Sequence, residues 1–382
     1  MKVTQLATLM NTVTQEILGE TAIIQEDLSN VVDIGKQIFD QTAVDNYVKT
    51  LVNHIGKVVF VNRLYAGGVP SVLMDSWEFG SVLEKISAEI PDAQESDTWK
   101  LEGGKSYDPD IFYKPSVSAK FFNSKTTFEI PMSFTERQVK ESFSSAAQLN
   151  GFISMLVTSV ENSMTVKLDA LIMRTINNMT GEVLATGQAV QKVNLLEQYN
   201  AASGKALKAA NALTDAEFIR FATHTIKTYQ DRMSKISVLF NVEKAKRFTA
   251  KDLQHVVLLS DFSSAATSFL LADTQNKELI TLPKHETVPY WQASGEEYTL
   301  NDVSRINVKT SSGAVIDQTG ILGVIFDRDA LGVSNLDRRV TTNYNPRAEF
   351  YTNFYKFDAG YFNDLSENFV VFYIAEDAPS EA

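Results

Sequence analysis

The side chains that could do chemistry are few and scattered. Four histidines, His54, His224, His255 and His285, stand far apart, none paired at i and i+4, and no H-E-x-x-H zinc motif occurs. Each reads as structural or surface. No G-x-S-x-G nucleophile elbow is present. The chain has no cysteine, which removes disulfides, thiol catalysis and Cys-ligated zinc. Glu102-Gly-Gly-Lys-Ser106 ends like a phosphate-binding loop. That pattern needs a glycine five residues before Gly104, where Trp99 stands, so the segment reads as a flexible tip. Asn178-Met-Thr180 matches a glycosylation acceptor but has no secretory signal to give it meaning.

Two charged clusters remain. Asp327-Arg-Asp329 follows an apolar run, and two carboxylates at a strand end could hold a divalent cation for a metal-dependent enzyme. An ion pair or helix cap is the simpler reading. Asp337-Arg-Arg339 reads as a local charge network or an intersubunit contact, which makes Arg338 and Arg339 candidate contact residues. No catalytic, cofactor-binding or metal constellation emerges, so no cofactor is expected.

Composition narrows the classes further. The 382 residues are 44% apolar and 21% charged, as in ordinary folded proteins. The 35 basic and 47 acidic residues give a formal charge of −12, which disfavours tight, sequence-independent binding to nucleic acid. Met1–Val13 lacks a secretory apolar core. No apolar stretch reaches the ~18 residues of a membrane span, and no membrane partner is expected.

The dominant local signal is a rod near 150–178. Ile153, Val157, Val160, Met164, Leu168, Leu171 and Thr175 mark one face of a helix, with Asn177-Asn178 and Gly181 as the stop. Before it, apolar spacing predicts short helices over 5–18 and 42–56. Residues 60–134 read as a long two-stranded ribbon. One strand runs near 82–90, with Val82, Ile86, Ala88 and Ile90 on an apolar face that Glu84 interrupts, and a short helix through Val82, Leu83 and Ile86 as the alternative. The other runs over 117–134, with Phe122, Phe128, Ile130 and Met132 on one parity and Phe121 and Phe134 disturbing it. The acidic stretch 92–110, broken by Gly103-Gly104, is the tip and carries Lys100 and Lys105. A two-stranded ribbon is marginal alone, so it should lie on something else.

Thr135-Glu-Arg-Gln138 and Thr214-Asp-Ala-Glu217 are expected capping boxes, opening helices to about Ser144 and Met233. Residues 182–213 read as loop. Strands are expected at 238–240, 256–259 and 321–326, a helix at 262–271, and a mixed α/β unit over 214–335. Extended segments are expected at 348–357 and 368–375, with Gly360 turning the chain between them.

The order of these elements resembles the major capsid protein of tailed bacteriophages, which has the Hong Kong 97-type fold. The resemblance rests on Val160-Glu-Asn-Ser-Met-Thr-Val-Lys-Leu-Asp169, on Gly323-Val-Ile-Phe-Asp-Arg-Asp-Ala-Leu-Gly332, and on the aromatic strands of Asn345–Ala375. It implies an α+β fold with an N-terminal arm (1–60), an extended loop (61–134), a spine helix with peripheral domain (135–195), an axial domain (196–335), and return strands with a polar tail (336–382). It also implies a non-enzymatic virion protein, assembled in the host cytoplasm as pentamers and hexamers that enclose double-stranded DNA. A portal and a separate scaffolding protein are the implied partners, the latter because only about 60 residues precede the ribbon. Lys100, Gly103, Gly104, Lys105, Arg338 and Arg339 are the implied intersubunit contacts, without a covalent cross-link. An encapsulin-like nanocompartment, which shares the fold, is the alternative.

Overall fold

The rod is longer than its sequence signals indicate. Helix α1 spans Ala146–Thr186, 41 residues or about 60 Å at ~1.5 Å per residue. Val160, Met164, Leu168, Ile172, Ile176, Met179 and Val183 form its buried stripe. The expected stop at 177–181 fails for two reasons. Asn177 spends its side-chain amide on the Trp291 carbonyl (2.8 Å) and leaves the helix backbone alone. Gly181 serves close packing, because a Cβ there would overlap the Val308 methyl. The helix ends instead where the Gly187 amide donates to the Val183 carbonyl at 2.8 Å.

The computed structural model describes residues 10–12, 14–15, 24–25, 29–30, 69–74, 83–88, 95–107, 110, 112, 114, 117–135, 137–138, 141, 146–272, 282–292 and 300–376. The helix expected at 42–56 lies outside these residues, as does most of that at 5–18, of which 10–12 and 14–15 are helical.

Thirteen strands occur among the described residues: β1 (Leu73–Met74), β2 (Leu83–Ala88), β3 (Val117–Phe122), β4 (Lys125–Thr135), β5 (Lys192–Asn194), β6 (Gln254–Leu259), β7 (Glu286–Val288), β8 (Ile306–Lys309), β9 (Val315–Gln318), β10 (Ile321–Asp327), β11 (Leu331–Asn345), β12 (Phe350–Asn363) and β13 (Phe369–Tyr373). After α1 come the helices α2 (Leu195–Ser203), α3 (Ala209–Ala212), α4 (Ala216–Met233), α5 (Ser260–Ala272) and α6 (Leu300–Val303).

Two larger sheets share the core. One has the order β5-β13-β10-β6-β7 and the other β1-β11-β12-β4. β10 is buried along its whole length and β13 for all but its last residue, which explains apolar runs without alternation. Tyr229 of α4 packs edge-on against Phe372 of β13, and Phe326 of β10 stacks on Phe369. The second sheet lays its inner face on α1. There Phe128 meets Phe357, and Phe134 meets both Tyr351 and Phe152. Its outer face is mostly polar, with Lys356 bonded to Glu129 (2.9 Å) and lying over the Phe354 ring, and Ser133 bonded to Thr352 (3.0 Å).

Several expectations need correction. The ribbon breaks at Asn123-Ser124, so only β2 and β3 pair with each other, and β4 joins β12. Phe134 shares the inward parity of Phe128, Ile130 and Met132, so it does not disturb the alternation. Residues 238–240 form a bend, because Phe240 and Asn241 turn inward. Gly360 lies within β12, opposite Ser334, and the chain turns at 364–368 instead. Asp215 caps α4 by accepting from the Phe218 amide (2.8 Å), in place of Thr214. Residues 182–213 hold the end of α1, β5, α2 and α3, since Ala, Leu and Gln are good helix formers. At 135–138 the reciprocal capping bonds form as read, at 2.9 and 3.2 Å.

Candidate functional site

The ribbon leaves the body from a charged seat that the sequence did not advertise. In the β2–β3 pair, Lys85 lies directly opposite Lys120. Two facing ammonium groups repel unless an anion sits between them. Asp364, with a fully buried side chain, supplies it. Its Oδ2 lies 2.8 Å from Lys85 Nζ and its Oδ1 2.9 Å from Lys120 Nζ. Glu367 accepts from Lys85 (2.8 Å) and forms an ion pair with Arg247 (3.2 Å), and Glu243 accepts from Lys120 (2.6 Å). Three cations meet three carboxylates.

This clasp sits where the chain crosses between the two larger sheets. The β10–β11 connection passes at 328–330 and the β12–β13 connection at 364–368. The Asp364 amide ties them by donating to the Ala330 carbonyl at 2.7 Å. Ser366 further fixes the Asp364 carboxylate through its amide (3.0 Å) and hydroxyl (2.8 Å).

Burial pushes the Asp364 carboxyl upward, but hydrogen bonds from Lys85 and Lys120 outweigh it and hold it at about 2. Burial likewise opposes charge on Lys85 and Lys120, and their carboxylate partners overcome it, so both are raised. Glu367 goes the other way, raised by burial despite Lys85. Asp364 is therefore the anion that holds the clasp, and Glu367 the member that gives up its charge first.

The sign of the pH dependence follows. The Asp364 carboxyl is lower folded than unfolded, so its stabilisation is present above about pH 4 and lost as pH falls toward 2. Glu367 binds its proton more tightly when folded and opposes this only weakly. Hydrogen exchange of 83–88 and 117–122 should accelerate at least tenfold, relative to β10, between pH 4 and pH 2. An unchanged ratio would remove the clasp from the account.

With the lysines turned inward, the ribbon's other face points out. Ile86, Ala88, Val117, Ala119 and Phe121 are exposed there, with Ile86 at 66% and Phe121 at 64%. The apolar face that Ile86 and Ala88 mark in the sequence is the outer one. Charge decides the parity here, because Lys85 must reach Asp364. The clue available in sequence was Asp364 and Glu367 in a short link between two apolar strands.

The sequence candidates fall on two separate elements. Lys100 (3.6 Å from Glu95) and Lys105 (3.1 Å from Glu102) lie on the exposed tip with Gly103 and Gly104. Arg338 and Arg339 follow a bulge in β11 after Asn335. Arg339 binds Asp358 at 2.8 Å, and burial lowers the half-buried Arg338.

The Asp327–Asp329 pair is a turn. Asp327 accepts from the Thr249 hydroxyl (2.6 Å) and the Asp329 amide (2.9 Å), and strand β11 follows, so of the two readings the helix cap falls away. Among the described residues no group of three His, Asp or Glu side chains could hold a metal. His285 bonds Ser263 (2.8 Å), but its other ring nitrogen meets the Pro283 carbonyl, so no carboxylate completes a triad. His255 packs on Phe326, His224 is exposed, and His54 lies outside the described residues.

The sequence pattern of the Phi29-like phage major capsid protein family matches residues 10–373. The major capsid protein of Bacillus phage GA-1 is 25% identical over 126 residues, which is 32% of this chain. That match spans 25% of the relative's own length. A chain from the capsid structure of Staphylococcus phage Andhra superposes with a TM-score of 0.53 over 82% of this chain and 86% of its own. At 10% identity that likeness shows the fold, which is the Hong Kong 97-type α+β fold.

Proposed function

The chain belongs to the Phi29-like phage major capsid protein family, a structural component of the virion capsid and not an enzyme, and on that premise we propose how it assembles. Copies close through pentamers and hexamers into an icosahedral shell around packaged double-stranded DNA. Assembly takes place in the host cytoplasm with a separate scaffolding protein and a portal. The shell encloses the DNA without reading its sequence, in keeping with the net charge of −12.

The observation that carries this reading is the ribbon. Its outer face is uncovered within the subunit and apolar but for Glu84, while its root is fixed by buried charge. A ribbon so exposed needs a second surface, and a neighbouring subunit supplies one. Residues 61–134 then act as the extended loop lying over that neighbour, 1–60 as the arm, 135–195 and 336–382 as the peripheral domain with the spine, and 196–335 as the axial domain. Lys100, Gly103, Gly104, Lys105, Arg338 and Arg339 are contact residues between subunits. The exposed pairs Lys100–Glu95 and Lys105–Glu102 are worth about 0–1 kcal/mol each, so exchanging them for partners on a neighbour costs little.

Electron microscopy of the protein coexpressed with scaffold tests this. Closed shells or hexameric rings are expected, and a persistent compact monomer across conditions would refute it. Deleting 92–110 should leave the subunit's melting temperature within a few degrees and abolish closed shells.

A further inference from the structure

A second exposed surface has the opposite charge to the ribbon tip. Between Lys227 and Lys251 seven Lys and Arg residues accompany two acids, in a chain that is acidic overall. Within this stretch Ser237 and Arg247 pair as a hydrogen-bonded antiparallel bridge, with amide-to-carbonyl distances of 2.9 and 3.0 Å. That register puts Ile236 opposite Phe248 and Val238 opposite Lys246. Alternation sends these four to one face and Arg247 to the other, toward Glu367. Ile236, Val238, Leu239 and Phe248 are all exposed, beside exposed Lys235 and Lys244.

The tip is the complement. From Asp92 to Phe112 six acids accompany two lysines. Among its described residues the large apolar side chains point to solvent, Trp99 at 95% and Phe112 at 84% exposure. Within one subunit neither surface covers the other.

We propose that the ribbon tip of one subunit docks on the 235–248 hairpin face of another. Trp99 and its neighbours pack on Ile236 and Phe248, and the tip carboxylates meet Lys235, Lys244 and Lys246. This rests on the reading that the ribbon contacts a neighbour, and adds the surface that receives it. Aromatic anchors on an apolar patch, with charge of opposite sign at the rim, are what a protein interface needs. A nucleic-acid phosphate would use the lysines but leave the four apolar side chains without a purpose.

The cysteine-free sequence makes the test direct. Trp99→Cys subunits are mixed with Phe248→Cys subunits, assembled with scaffold and oxidised. A disulfide-linked pair of subunits in shells, absent from unassembled protein, is expected. Shells without that cross-link overturn the proposal, as does an intrachain bond in the isolated Trp99→Cys/Phe248→Cys subunit. If the cysteine variants do not assemble, charge reversal decides. Lys235→Glu/Lys244→Glu should lower shell yield at least tenfold, and Glu95→Lys/Glu102→Lys on the partner population should restore it. Reduced DNA retention with unchanged shell yield overturns the proposal in favour of nucleic acid. The deletion of 92–110 separates the two levels. Shells lost by the deletion but uncross-linked at Phe248 leave the ribbon reading intact and remove only its receiving surface, whereas shells that survive the deletion remove both.

Discussion

Asp364→Ala should free the ribbon and cost roughly 3 kcal/mol of subunit stability in chemical denaturation. The substitution removes the carboxylate that separates Lys85 from Lys120 and leaves two ammonium groups facing each other. Breaking a buried pair by deleting one partner costs about 3–5 kcal/mol. The lower end applies here, because both lysines retain some exposure and can swing toward water. Part of the loss comes from the turn, where Ser366 gives up two bonds to the same carboxylate. Asp364→Asn distinguishes the two contributions. Its amide oxygen can still accept from Ser366, but it carries no charge. The Asn variant should therefore recover only the turn's share of the loss and show the same fast hydrogen exchange at 83–88 and 117–122. If both variants leave ribbon exchange at the parent rate, the ribbon is held by something other than the clasp.

The clasp also shows where sequence reasoning stops. Periodicity located the rod, β6, β10, α4, α5 and β13, because a buried face repeats every 3.6 residues in a helix and buried strands read as short apolar runs. It does not settle elements whose orientation depends on a distant partner. Lys85 and Ile86 alternate along β2, and the local pattern does not say which face meets the body. Only the position of Asp364, nearly 300 residues later, turns the lysine inward. β4 fails similarly. Its alternation is plain in sequence, but its pairing with β12 and not with β2 is set by the long-range fold. The candidate contacts at Lys100 and Lys105 were legible as a glycine-broken, charged tip. The basic hairpin at 235–248 was not. Its apolar side chains look like an inward-facing strand until the buried Phe240 and Asn241 show which residues turn in.

Gly181 makes the same point inside the rod, and it yields the second large effect. In an isolated helix, replacing an interior glycine by alanine gains about 1 kcal/mol. Here the new methyl would overlap the Val308 side chain, which leans from β8 onto α1. Overpacking costs roughly 1–3 kcal/mol, and valine has no long flexible end to move aside. The overlap should win, because Val308 is held in a buried strand position. Gly181→Ala is therefore expected to lower stability by roughly 2 kcal/mol, against the propensity scale. Val308→Ala should destabilise too, by emptying part of the same contact. The double variant should be more stable than the two losses predict, since each change removes the reason the other was harmful. Denaturant titrations of the four proteins measure this coupling directly. Losses that simply add would mean that the α1–β8 contact yields without strain, and that glycine at 181 has no packing role. A favourable coupling of roughly 1 kcal/mol or more would establish that the rod runs through Gly181 because β8 crosses there.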